Sequence, residues 1–259
     1  LLKPGTGYTT PPTVTLSGGG GSGATAVAVK NWVTMTAPQA DPTRDIHVTA
    51  LLVDEHTLDE VQFDLTFSQQ GRPFWVWGTG IKPGETTQDF AKDNYYFSFT
   101  RLAASGTITI AGTTHEVTGT TWMDHEYGYF GGSSADARVR WLLQDLQLDN
   151  GYSISNAGIL TVGYKPEIDV PVDAYATVQD AEGNLYYVAS TITPVGELWT
   201  SPATGNVYAQ QFHVQIPSFQ ADLTVSVLVQ NQEFPIAASP VYEGVAKPTG
   251  TMLGKPVTG

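Results

Sequence analysis

The chain repeats one pattern almost throughout: short runs of β-branched and aromatic residues, each cut by turn residues before a helical period can establish itself. IHVTALLV, VQFDLTFS, FWVWGTGI, YYFSFTRL, GTITIAG and HEVTGTTW succeed one another from Ile46, with Gln70-Gly71, Lys82-Pro83-Gly84 and Ala111-Gly112 among the breaks. This is the rhythm of an antiparallel meander, because Gly and Pro interrupt a ladder while Val, Ile, Thr and aromatic side chains suit a pleated surface. After Gly131-Gly132-Ser133-Ser134 it restarts with RVRWLLQDLQL, YSISNAGILTVG, AYATVQD, LYYVASTITP, YAQQFHVQI and LTVSVLV. Only residues 54–60 carry a trace of helical period. The pattern predicts an all-β chain built as two consecutive antiparallel barrels or sandwiches, residues 30–132 and 133–259, joined near Gly131.

Ahead of them, residues 1–29 hold two short alternating runs around Gly18 to Gly21, a hairpin or a flexible linker in which Gly removes the side chains that would restrict a wide turn. The stretch GYTTPPTVTLSGGGGSGATA is similar to a Gly-rich module of phage structural and bacterial surface proteins, which implies self-assembly through this segment. No Lys-Ser/Thr pair follows the glycines, so a phosphate-cradling loop is not expected.

Charge narrows the partners. With 25 Asp and Glu against 12 Lys and Arg, the formal charge of -13 repels phosphate backbones and anionic headgroups, so nucleic acid is not expected as a partner. Cysteine is absent, which removes disulfides and thiol chemistry and suits a secreted or periplasmic protein. No apolar run is long enough to span a bilayer, and a chain opening on Leu1 without Met reads as a mature or trimmed fragment.

Polar chemistry concentrates in TWMDHEY, residues 121–127. On a strand, alternation puts Trp122, Asp124 and Glu126 on one face and Met123, His125 and Tyr127 on the other. Two carboxylates on one face lie about 7 Å apart, close enough for desolvation and repulsion to raise one pKa. A protonated acid beside an indole could protonate an alkene, the resulting cation being stabilised by aromatic faces. Asp124 and Glu126 are therefore the candidate catalytic acids. The same residues equally suit a structural polar network, His125 included, with Arg101, Arg138 or Arg140 as counter-ion, since an Arg in an apolar strand needs an anion. The histidines 47, 56, 115 and 213 are scattered and no HxH or HxxxH pair exists, so no metal and no cofactor is expected. A Gly-x-Ser-x-Gly elbow is also missing. The aromatics Trp77 and Tyr96 suit a core or a cavity wall, and Trp199 lies beside a turn.

Several segments together resemble the hydroxyneurosporene synthase (carotenoid 1,2-hydratase, CrtC-like) and AttH-like lipocalin-fold family: NYYFSFTRLAASGTITIAGTTHEVTGTTWMDHEYG (94–128), WLLQDLQLDNG (141–151), ELWTSPATGNVYAQQFHVQIP (197–217) and QEFPIAASPVYEGVAKPTGTMLGKPVTG (232–259). The resemblance covers about residues 50–259 and implies two tandem lipocalin-like β-barrels with a small apolar ligand in or between them. Trp122, Tyr127, Trp141, Trp77, Tyr96 and Trp199 are then the candidate ligand contacts. In the family some members hydrate carotenoids or isoflavonoids, fungal relatives carry out pericyclic cyclisation and many have no assigned activity, so the resemblance implies acid-assisted hydration or templated cyclisation of an isoprenoid- or polyketide-like substrate. A lipophile carrier or an extracellular structural protein is the rival reading. Two features depart from the family. The opening Glu-Trp-Trp-Tyr strand has no counterpart, and residues 152–159, where the hydratases are expected to carry an acid, read YSISNAGI without a carboxylate. Val241-Tyr242-Glu243 stands where relatives have Tyr-Trp-Glu-Gly, which alters that pocket wall.

Overall fold

The computed structural model describes residue 13 and residues 31–54, 57–84, 92–129, 139–161, 168–234 and 240–259, with the side chains of 139, 140 and 161 left aside. The Gly-rich segment 1–29 apart from Thr13, His56, the Gly131 break and Arg138 fall outside them, as does the Arg140 side chain. The chain is all-β: β1 (Trp32–Thr36), β2 (Ile46–Val53), β3 (Glu60–Gln69), β4 (Phe74–Trp75), β5 (Asn94–Ile110), β6 (Thr113–Gly128), β7 (Val139–Gln147), β8 (Ser153–Thr161), β9 (Val172–Gln179), β10 (Leu185–Thr200), β11 (Val207–Ile216), β12 (Ala221–Val227), β13 (Glu233–Phe234), β14 (Val241–Tyr242), β15 (Ala246–Met252) and β16 (Lys255–Thr258). The helical trace at 54–60 is the β2–β3 connection, where Leu58 turns through φ 63° and Glu60 already opens β3.

One sheet runs β1-β2-β3-β5-β4 with β6 also on β5, and an eight-stranded sheet runs β16-β15-β12-β11-β10-β9-β8-β7. The chain divides into two compact units, Leu1–Gln70 with Arg101–Thr121, and Gly71–Thr100 with Trp122–Gly259. In the second unit the core lies on one face of the large sheet, where Ile154, Val178, Val214, Ile216 and Leu223 are wholly buried. Strict alternation produces it: β9 reads VDAYATVQ with Val172, Ala174, Ala176 and Val178 inward. Each fully buried Val, Leu or Ile contributes about 1.5–3 kcal/mol.

That sheet closes on itself at one corner. The Asp149 N–H, just past β7, donates to the Thr258 carbonyl at 2.8 Å, and the Thr258 N–H and Oγ1 donate back to the Asp149 carboxylate at 3.1 and 2.8 Å. Those bonds from Thr258 hold the Asp149 carboxyl below its ordinary pKa.

Two parts of the chain repeat one constellation. Asp64-Leu65-Thr66 on β3 and Asp222-Leu223-Thr224 on β12 each face a His on the preceding strand, with His47 paired to Thr66 and His213 to Thr224. His47 Nε2 lies 2.7 Å from Asp64 Oδ1 and His213 Nε2 2.9 Å from Asp222 Oδ1. On the following strand each Leu faces a glycine, Gly106 and Gly250. These glycines have φ 142° and 153°, and a Cβ on either would collide with the carbonyl oxygen of Asp64 or Asp222. The next turns, Ala111-Gly112 and Leu253-Gly254, both have positive φ at two successive residues, as a tight type I′ hairpin requires. The strand sets β2-β3-β5-β6 and β11-β12-β15-β16 are thus two copies of one lipocalin-like design, and the fold is tandem. Gly106 does not separate two strands, as its place in the sequence suggests. It lets one 17-residue strand, β5, pass close to β3.

Gly250→Ala should destabilise the protein by about 2 kcal/mol or more, through φ strain and collision with the Asp222 carbonyl, measured as the shift in the urea unfolding midpoint. Because the Asp149 pKa is depressed on folding, its contribution is present above the unfolded carboxyl value and is lost as pH falls towards the folded one. Asp149→Asn should therefore melt below wild type near neutral pH and converge with it in acid, as read by thermal melts across pH.

Candidate active site

The face of β6 that carries Trp122 and Asp124 meets β5 and β7 within the second unit. Phe74, wholly buried on β4, packs edge-on against Trp122 with ring centroids 5.6 Å apart and fixes the indole. The indole N–H then donates to Asp124 Oδ1 at 2.7 Å. Ser98 Oγ, buried on β5, donates to the same oxygen at 2.5 Å, and the Tyr96 hydroxyl donates to Asp124 as well. Three donors on one carboxylate make Asp124 an acceptor.

Its fourth partner is Asp145 on β7, which hydrogen-bonds to Asp124 and accepts from the Ser155 hydroxyl on β8. Asp145 Oδ1 is shielded from solvent and has no hydrogen-bond partner among the described residues. Burial first, then the Asp124 charge, the shared hydrogen bond and the Glu243 charge push the Asp145 pKa well above the ordinary carboxyl range, against the opposing pull of Ser155. The neutral form of Asp145 is therefore the one these surroundings favour. Tyr96 is likewise raised, by burial and then by the charges of Asp124 and Asp145, so its hydroxyl stays protonated.

Sequence reading named Asp124 and Trp122 on this face and missed Asp145. The signal was present: in WLLQD, alternation puts Trp141, Leu143 and Asp145 on one face, an acid ending an apolar row. Residues 152–159 carry no carboxylate, and Asp145 on β7 stands cross-strand from Ser155 of that segment.

The other predicted residues fall in different places. Glu126 accepts from Asn94 Nδ2 at 3.1 Å. His125 and Tyr127 occupy the opposite face of β6, His125 stacked on Phe97 at 5.1 Å and Tyr127 on Tyr95 at 5.4 Å. Trp77 stands edge-on to Tyr96 at 5.7 Å, at the acid pair. Trp141 is exposed on the outer face of β7. Arg101 belongs to the first unit, where burial lowers its pKa and its N–H donates to Gln69 Oε1 at 3.2 Å. Trp199 lies with Tyr208 and Tyr242, at 6.2 and 6.0 Å. Beside that cluster, desolvation of Glu233 is outweighed by hydrogen bonds from Ser201, Tyr208, Thr204 and Asn206, which bring its pKa down to about 2 and tie the β10–β11 turn to β13. Among the described residues no group of three His, Asp or Glu is placed to hold a metal ion, and no helix is long and apolar enough to cross a membrane.

The Asp145 pKa is raised on folding, so its neutral form is favoured at low pH and the folded state loses stability as pH rises from the unfolded carboxyl value towards the folded one. Asp145→Asn should then melt a few degrees above wild type at neutral pH, and the gap should close in acid, as read by thermal melts across pH.

A family model described as AttH-like matches residues 15–258. Among curated proteins none matches. Two solved structures are similar in fold: an AttH protein of Nitrosomonas europaea, with 20% identity and a TM-score of 0.65 over 90% of this chain and 68% of that one, and kievitone hydratase of Nectria haematococca, with 18% identity and a TM-score of 0.64 over 90% and 67%. At such identities the likeness concerns the fold alone.

Proposed function

From the premise that the chain belongs to the AttH-like family, we propose that it acts on an extended apolar, isoprenoid- or polyketide-like molecule by acid-assisted addition of water, with templated cyclisation as the variant outcome of the same chemistry. One observation carries this reading: a carboxylic acid, Asp145, kept protonated by burial and by a second carboxylate, Asp124, that three donors hold in place. That one structure of similar fold is named a hydratase adds support.

In the proposed step the Asp145 O–H protonates one alkene carbon, and the π pair becomes the new C–H bond. The neighbouring carbon becomes cationic beside the rings of Tyr96 and Trp122. Water adds through an oxygen lone pair, and the oxonium so formed returns its proton to the carboxylate pair, which restores Asp145. In cyclisation an internal double bond replaces water as the nucleophile, its π pair forms the new C–C bond, and the cation this leaves loses a neighbouring C–H proton to the carboxylate pair, which restores Asp145. Asp124 and Glu126, the acids read from the sequence, belong to the same proposal, Asp124 as partner of the donor and Glu126 as a further negative charge near Tyr96. Trp77 and Trp141 are proposed as ligand contacts with Tyr96 and Trp122, whereas Tyr127 and Trp199 would contact ligand on other surfaces. Secreted or periplasmic residence, the domain limits 30–132 and 133–259, and self-assembly through residues 1–29 are part of the proposal too, supported by composition and sequence rhythm.

The test is turnover of a panel of isoprenoid and polyketide alkenes followed by mass spectrometry, where water addition and isomerisation give different product masses. Asp145→Asn should lower kcat about 100-fold or more, Glu126→Gln should cost less, and wild-type kcat/KM should fall as pH rises and Asp145 ionises. A panel member bound but never converted would instead favour a lipophile carrier, and full turnover by Asp145→Asn would defeat the acid.

A further inference from the structure

The register of β7, β8 and β9 sorts their outer face into rows. Asp145 stands opposite Ser155 and Ser155 opposite Thr177, a polar row. Segment 73–80 covers this end of the face: the Trp77 N–H donates to Thr177 Oγ1 at 2.9 Å, and Gln179 in the next row donates to the Pro73 carbonyl at 3.3 Å. One step in the other direction the row reads Leu143, Ala157 and Tyr175, and the step after that begins with Trp141 and Ile159. These rows are apolar and exposed: Leu143 41%, Tyr175 54%, Trp141 58% and Ile159 70%. Tyr175 also stacks on Tyr187 of β10, centroids 5.3 Å apart, so it presents a ring face.

A contiguous apolar patch of this kind on a folded surface marks a binding site, whereas single exposed apolar residues need no explanation. The patch has limits. From Trp141 to Asp145 the strand advances about 13 Å, and three strands span about 10 Å. One end stops at the acid pair and the Trp77–Tyr96 rings, and the chain's formal charge of -13 disfavours an anion.

We infer that Trp141, Leu143, Ile159 and Tyr175 form the floor on which a neutral, flat, ring-bearing apolar molecule lies, with its proton-accepting group directed at Asp145. This rests on the proposed acid chemistry for its orientation, and on the rows alone for its location. The ring faces and the width of the floor fit a fused-ring or aryl part of such a molecule.

Nile red, a neutral flat dye, tests the floor without a known substrate. Titrated into the full chain, it should bind saturably and quench Trp141 emission. Ile159→Asp and Tyr175→Asp should each weaken binding at least tenfold, and Leu52→Asp, an exposed apolar position on β2, should not. Ile159→Thr keeps a strand-favouring branched residue and serves where the Asp variant does not fold; it should weaken binding in the same direction. Absence of saturable binding, or equal binding by every variant, overturns the inference. So does a wild-type dimer in light scattering that Ile159→Asp converts to monomer, which would give the face to a second copy of the chain. Read in parallel, Asp145→Asn separates the two ideas: retained dye binding with lost turnover supports both, retained turnover sinks the acid and leaves the floor, and unaltered dye binding in Ile159→Asp sinks the floor and leaves the acid.

Discussion

The electrostatic coupling of Asp124 on β6 to Asp145 on β7 is the constraint around which the site is built. A carboxyl pair in contact is tolerable only with a proton between its members and donors around them. Ser98, Trp122, Tyr96 and Ser155 are those donors, and each is held by its own packing: Ser98 and Ser155 by burial, Trp122 by Phe74, Tyr96 by Trp77. Removing any of these would take a donor from a carboxyl that the strand registers bring to it.

Much of this was legible beforehand. The turn-punctuated runs gave an all-β chain, the segments around TWMDHEY gave the family, and alternation along β6 correctly separated Trp122 and Asp124 from His125 and Tyr127. What could not be read was cross-strand placement. Asp145 becomes an acid of interest only once β7 brings it to Asp124, and nothing local to WLLQD says which strand it will meet. FWVWGTGI misled for a different reason. It reads as a strand, but only Phe74–Trp75 is one, because Trp77 adopts φ 61° and turns the backbone so that its N–H reaches Thr177. A positive φ at Trp has no sequence signal, since it is imposed by the sheet beneath.

The repeated Asp-Leu-Thr, His and Gly constellation has a similar lesson. Three letters recur at positions 64 and 222, too few to notice, yet each copy brings the same His–Asp pair and the same close glycine crossing. The two copies differ in surroundings. In the second, the hydrogen bond from His213 and a lesser one from Gln215 hold Asp222 below its ordinary pKa. The two four-strand sets β2-β3-β5-β6 and β11-β12-β15-β16 thus preserve a scaffold, while the acid pair and its donors use positions on β5, β6 and β7 outside the repeated constellation.

The corner at Asp149 and Thr258 has a kinetic consequence. Its partners are 109 residues apart, whereas nearly every other ladder in the large sheet joins neighbours in sequence. Closing so long a loop costs entropy that hairpins do not incur, so this contact forms after the hairpins have zipped. Since β7 is an edge of that sheet and carries Asp145, a nascent or partly unfolded chain holds its hairpins before it holds its acid in place. The placement of Asp145 is then a property of the finished sheet and not of any one hairpin.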